Sequence, residues 1–190
     1  MTFQEYTEIF QGIINAQEHQ PPYDQEAYMD YTKLNWARMN RWLKKGVLSQ
    51  ELVHLLKGQS APSHWLVITE PWCGDAAHTV PFIHLLAQLN PLITVSYELR
   101  DSPPFQINQY LSGPNKSKSI PVLVVRDEQE KDQFVWGPRP EACQEIYQDL
   151  IGKEADFETV KTALQQWYNT DGGLSFQREL FKGIKPFIEG

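Results

Sequence analysis

The run His64-Trp-Leu-Val-Ile-Thr69 leads straight into Pro-Trp-Cys-Gly and then into a segment with helical periodicity. A short, continuous, β-rich apolar run reads as a strand buried on both faces. Such a strand needs cover on each side, and a helix entered through a short turn supplies part of it. That helix is expected over Asp75–Leu89. Ala76, Val80, Ile83, Leu86 and Leu89 are available to the core, Pro81 kinks the helix, and Asn90-Pro91 stops it.

The elements around this unit follow from the same periodicities. Leu92–Leu99 and Ser119–Arg126 read as further strands. Phe105–Leu111 reads as a short helix between them. A charged turn, Asp-Glu-Gln-Glu-Lys-Asp, joins the third strand to a fourth, Gln-Phe-Val-Trp-Gly, as a hairpin, and Arg139–Ile151 is helical. The order β-α-β-α-β-β-α predicts an α/β fold with a mixed sheet and helices on both faces. Residues 1–60 form a helical extension. Its helices run from Phe3 up to the Pro21-Pro22 stop, from Gln25 to Lys45, and from Ser49 to Gly58. Residues 61–152 are the core and residues 153–190 are C-terminal helices packed on it. The last segment carries Phe176, Leu180, Phe181, Ile184, Phe187 and Ile188, and must dock on the domain or on a partner.

Charge removes some classes of function. Seventeen basic against 24 acidic residues give a formal charge of -7. That disfavours a nucleic-acid or anionic-membrane surface, since phosphate binding relies on a positive field. No run reaches the roughly 20 apolar residues that cross a bilayer. The first residues, with Glu5 and Glu8, do not resemble a signal peptide, so the cytoplasm is the expected compartment. Two cysteines without histidines at ligand spacing make neither a disulfide scaffold nor a zinc site, and no metal is expected.

Cys73 lies where a strand gives way to a helix. Unpaired backbone N–H groups and the helix dipole favour negative charge there, which raises the thiolate fraction of a thiol. Trp72 gives the sulfur an apolar flank. Gly74 lets the backbone turn and a substrate come close.

These residues resemble the thioredoxin family. Pro71-Trp72-Cys73-Gly74 looks like the start of the thioredoxin active-site motif, on the same strand-to-helix junction. Pro81 is similar to the helix-kinking proline, Ile120-Pro121 to the cis-proline step that faces the active-site sulfur, and Gly137 to the glycine that ends the hairpin. The resemblance covers about residues 62–152. It implies a thioredoxin-like mixed sheet flanked by helices, with Ile120 and Pro121 positioning substrate beside Cys73. The string WCGDA and the upstream LNWARMNRW resemble a bacterial single-cysteine subgroup with no activity to carry over. Two departures from the family matter. Ala76 stands where the second thiol of Cys-x-x-Cys belongs, so the intramolecular dithiol cycle is unavailable. Asp75 replaces a common proline and opposes the thiolate, raising the Cys73 pKa.

Two readings remain open. In the first, Cys73 is a monothiol that exchanges with a protein or small-molecule disulfide. Glutathione is then a co-substrate, no bound cofactor is needed, and an external thiol resolves the adduct. In the second, the fold is a non-catalytic binding or adaptor module, with the added helices and apolar tail as interface. Arg38 and Arg41, on a polar face of the second helix, are solvated charges, or else approach the motif to offset Asp75 or hold an anionic thiol. Cys143, in the last core helix, is expected to be structural and away from the motif. Oligomeric state is not legible.

Overall fold

The computed structural model describes residues Met1–Gly190. Three helices come first: α1 (Phe3–Asn15), α2 (Glu26–Lys45) and α3 (Gln50–Gly58). The sheet follows as β1 (Ser63–Thr69), β2 (Ile93–Leu99), β3 (Val122–Arg126) and β4 (Asp132–Trp136). Helix α4 (Gly74–Ala87) joins β1 to β2. Helices α5 (Glu141–Gly152), α6 (Phe157–Asp171) and α7 (Leu174–Glu189) complete the chain. This is the α/β architecture expected, with helices before and after the core.

The strand order is β2-β1-β3-β4. β1 pairs parallel with β2 and antiparallel with β3, and β3 pairs antiparallel with β4. The crossover through α4 is therefore the one connection that returns to a parallel neighbour. The expected helix at Phe105–Leu111 shrinks to a single 3-10 turn, Gln106–Gln109. Phe105 ahead of it adopts φ 58°, a left-handed conformation that breaks α-helical progress. Along β2, Tyr97 faces Tyr6 of α1, with stacked rings 5.8 Å apart. Its neighbour Glu98 points to the opposite face and accepts hydrogen bonds from Gln106. This is the period-two alternation of a strand covered on both sides.

Helix α1 starts on a capping box between Thr2 and Glu5, and the chain before it extends the sheet edge. The Met1 amine donates to the Tyr97 carbonyl at 3.0 Å, and the Tyr97 N–H donates to the Met1 carbonyl at 2.8 Å. One cluster of 30 buried residues joins the N-terminal helices, the sheet, α4 and α7. The apolar tail docks on its own domain: Phe176, Leu180 and Ile184 of α7 are at most 2% exposed. Trp136 of β4 donates to Glu179 at 2.6 Å, and Gln177 bonds both Ser49 and Val47 ahead of α3. Phe176, Leu180 and Ile184 thus have an intramolecular partner, while Leu174 at the start of α7 is 51% exposed. No helix is long and apolar enough to cross a membrane.

Candidate functional site

Cys73 is the N-cap of α4. Its sulfur accepts the Ala76 N–H at 3.5 Å, taking the place a serine or aspartate oxygen usually fills. The thiol donates to the Ile120 carbonyl at 3.3 Å. Ile120 precedes Pro121 across a cis peptide bond. Gly137 lies against the same segment at φ 135°, where a Cβ would strike the Pro121 carbonyl. Strand end, helix start and the loop into β3 therefore meet at one sulfur. The residue is only 7% exposed.

Gly74 borders the open space beside Cys73 and also lies against α2, where a Cβ would meet the Tyr31 hydroxyl. Trp72 is half-buried, edge-on to Tyr28, with the Arg100 guanidinium 4.5 Å above its ring. Asn35 of α2 donates to the Pro71 carbonyl at 3.2 Å and pins the turn from the same side.

Asp75 does not cap the helix. It points into the protein, 9% exposed, where Arg139 pairs with Oδ2 at 2.7 Å and the Tyr168 hydroxyl donates to Oδ1 at 2.9 Å. Burial raises its pKa, and Arg139 and Tyr168 pull it back. Arg38 and Arg41 do not supply the counter-charge. Arg38 is buried, donates to Asn35 at 2.8 Å and lies over the Tyr31 ring. Arg41 donates to Asn169 at 2.7 Å and lies over Trp42. Arg139, just beyond Gly137, takes the role considered for them.

His78 joins the same assembly. Trp42 Nε1 donates to its Nδ1 at 2.8 Å, so the ring proton resides on Nε2 and is donated to Gln165 at 3.1 Å. Its ring stacks on Tyr168 with centroids 4.5 Å apart. Burial lowers the His78 pKa to about 3, so the imidazole is neutral and takes no part in acid–base chemistry near neutrality. An unfolded histidine titrates near 6.5, so this group favours the fold above that pH. Its contribution is lost as pH falls from about 6.5 toward 3. Urea unfolding of His78→Asn against wild type should show the variant losing less stability than wild type between pH 6.5 and 5.

Burial pushes the Cys73 thiol up to about 12. Asp75 pushes in the same direction, while the Ala76 N–H and Arg139 oppose it. The expected effect of Asp75 is present but comes second to burial. Cys143 of α5 is also fully buried and also raised to about 12 by burial. Its titration responds to Asp75, Arg139 and Tyr168, so it lies in the same polar cluster rather than remote from it. Both cysteines are free thiols. No group of three or more His, Cys, Asp or Glu side chains is placed to hold a metal ion.

Above the sulfur opens a cleft of about 660 Å³. Its core-side wall carries Tyr28, Tyr31, Trp72 and Ile120, and its far wall is α6, through Phe157, Lys161, Leu164 and Tyr168. Sequence reasoning did not find Arg139, Tyr168, Gln165 or Tyr31. Arg139 alone had a signal, the resemblance of Gly137 two residues before it; Tyr31, Gln165 and Tyr168 lie too far along the chain for that position to place them.

A family model described as thioredoxin matches residues 22–154. No curated protein sequence matches. Among solved structures, an HIV epitope-scaffold is similar over 92% of this chain and 92% of its own, at 18% identity and TM-score 0.52. A protein of unknown function from Pseudomonas aeruginosa aligns over 92% of this chain and 99% of its own, at 16% identity and TM-score 0.48. An alkylhydroperoxide reductase chain from Enterococcus faecalis aligns over 53% of this chain and 47% of its own, at 17% identity and TM-score 0.40.

Proposed function

The chain belongs to the thioredoxin family, and from that premise we propose that it performs thiol–disulfide exchange with Cys73 as a single reacting thiol. The observation that carries this reading is the Cys73 sulfur at a helix N-terminus, against the Ile120 carbonyl, at the floor of a cleft. Ala76 offers no second thiol one turn on. The deprotonated sulfur attacks one sulfur of a disulfide, whose S–S bond breaks. The departing thiolate takes the electron pair and is protonated from water. A second small thiol then attacks the mixed disulfide and releases Cys73. No bound cofactor takes part, and glutathione fits as co-substrate. A reducing compartment such as the cytoplasm supplies the resolving thiol.

The thiol is held latent. With a pKa of about 12, the thiolate is on the order of 10⁻⁵ of the total at pH 7. A higher pKa brings higher intrinsic nucleophilicity, which recovers roughly 1.5 of the ~3.5 decades lost against an ordinary thiol. Exchange in the folded protein is therefore expected about 100-fold slower than for an exposed cysteine. Burial is the main cause, and the Asp75 charge is already offset by Arg139.

Incubation with glutathione disulfide, followed by intact mass and peptide mapping, tests this. The expected product is one glutathione on Cys73, removed by excess thiol and absent in Cys73→Ser. A chain that takes up glutathione only when unfolded would instead support the second reading, a binding module. That reading rests on the protonated thiol's bond to Ile120, which is what a structural cysteine makes. It predicts that Cys73→Ser keeps full function.

A further inference from the structure

Helix α6, like its neighbour α5, buries little of its length. Of its residues only Val160 and Tyr168 are buried, whereas α7 buries Phe176, Gln177, Leu180 and Ile184. Its attachment over the site is mainly polar. Tyr168 bonds Asp75, Gln165 bonds His78, and Asn169 accepts from Arg41. Lys161 reaches across the cleft to within 5.5 Å of the Tyr31 ring centroid. The helix is entered through a turn with Glu154 at φ 55° and left through Gly172 and Gly173 at φ 63° and 83°. It is thus bounded at both ends by left-handed residues rather than continued into its neighbours.

This placement decides what can reach the sulfur. Cys73 is 7% and Ile120 4% exposed, both at the bottom of a concavity that α6 closes on one side. A volume of about 660 Å³ is that of a small-molecule site, for which roughly 300–1,000 Å³ is usual. A folded protein presents its disulfide on a broad surface, with about 800 Å² per partner in contact, and cannot lower it into such a cleft. The walls are largely aromatic and aliphatic. The rim cations Arg100 and Lys161 are paired only with Asp101 and Glu158, whose side chains are 55% and 70% exposed. The Lys161–Glu158 pair is of the weak kind readily exchanged for a ligand carboxylate, whereas Arg100 holds Asp101 through two hydrogen bonds and is the firmer of the two.

We infer that α6 is a size filter. It restricts the Cys73 site to low-molecular-weight disulfides that carry a carboxylate, and it keeps protein disulfides out. The inference rests on the exchange reading above and names its substrate class.

The test compares the rates at which Cys73 forms mixed disulfides with glutathione disulfide and with insulin. Each rate is divided by that of N-acetylcysteine with the same disulfide. Wild type should favour the small disulfide by about 100-fold after normalisation. Tyr168→Phe removes the bond to Asp75 and keeps the ring stack on His78. It should narrow that preference at least tenfold while hydrogen exchange along α6 accelerates. Gln165→Ala with Asn169→Ala leaves the Tyr168–Asp75 bond in place, changes the less buried part of the latch and should act in the same direction, which covers the case of a misfolded Tyr168 variant. A preference near unity in wild type overturns the filter, as does one that stays unchanged when α6 exchange accelerates. Reaction of Cys73 with neither disulfide in any folded variant overturns the exchange reading, and the filter with it.

Discussion

Arg139→Met should destabilise the protein by about 3–5 kcal/mol, the range seen when one partner of a buried ion pair is removed. The substitution leaves Asp75 9% exposed with only the Tyr168 hydroxyl to satisfy it. Loss of the Arg139 ring contact with Tyr147, at 4.3 Å, adds to the cost. The charge of Asp75 is the main fault, so Asp75→Asn in the same chain should recover more than half of it. The asparagine still accepts from Tyr168 and carries no charge to desolvate. The pH dependence has a definite sign. Burial already raises the Asp75 pKa, and removing Arg139 raises it further. A raised carboxyl favours the fold at low pH, so the deficit of Arg139→Met should shrink on acidification. Urea unfolding of wild type, both single variants and the double variant closes the cycle. A cost below about 1 kcal/mol would mean that the pair is solvated like a surface bridge.

That pair also marks where sequence reading stops. The strand from Ser63, the turn at Cys73 and the helix with Pro81 inside it are written locally, in a β-rich run, a Pro-Trp-Cys-Gly turn and a 3.6-residue period. Pro121 and Gly137 were legible as positions because a family pattern fixes their order along the chain. The partners of Asp75 were not. Arg139 and Tyr168 reach it from α5's leading turn and from α6, and no periodicity relates residues so far apart in sequence. Gly74 shows the same limit at short range. Its smallness reads as room for a substrate, and the closeness of Tyr31, from a helix that precedes the sheet, was not legible beside it. The apolar tail was legible as a buried surface, but whether it met its own domain or a partner depended on the faces of α3 and β4, which the tail's own sequence does not describe. The short helix expected at Phe105–Leu111 failed because the backbone at Phe105 is left-handed, a choice made by the loop and not by side-chain pattern.

Stability should fall on the alkaline side through the two thiols, and in a window narrow enough to assign. Cys73 and Cys143 are both raised from 9.0 to about 12, chiefly by burial. A thiol whose pKa is raised on folding favours the native state below its unfolded value. Between the two values the unfolded chain releases its proton and the folded chain does not, so stability drops as pH rises through the interval. At pH 9.5 the loss is between about 1 and 2 kcal/mol for each thiol, one decade above the ordinary value of about 8.5. This figure does not depend on how far above 10 the folded values lie. Together the two thiols remove close to 3 kcal/mol, a large share of the roughly 5–15 kcal/mol that holds a domain folded. From about pH 10 the tyrosines Tyr6, Tyr23, Tyr97 and Tyr168, all raised by burial, join them and obscure the assignment. Urea unfolding at pH 7, 9 and 9.5 should therefore show the decline in wild type. Half of it should remain in Cys73→Ala, and almost none in Cys73→Ala with Cys143→Ala. If Cys73→Ala leaves the slope unchanged, the Cys73 thiol is not held protonated by the fold. Its slow exchange would then have to come from steric cover by α6 alone, and the pH profile of mixed-disulfide formation would level off near 8.5 as it does for an ordinary thiol.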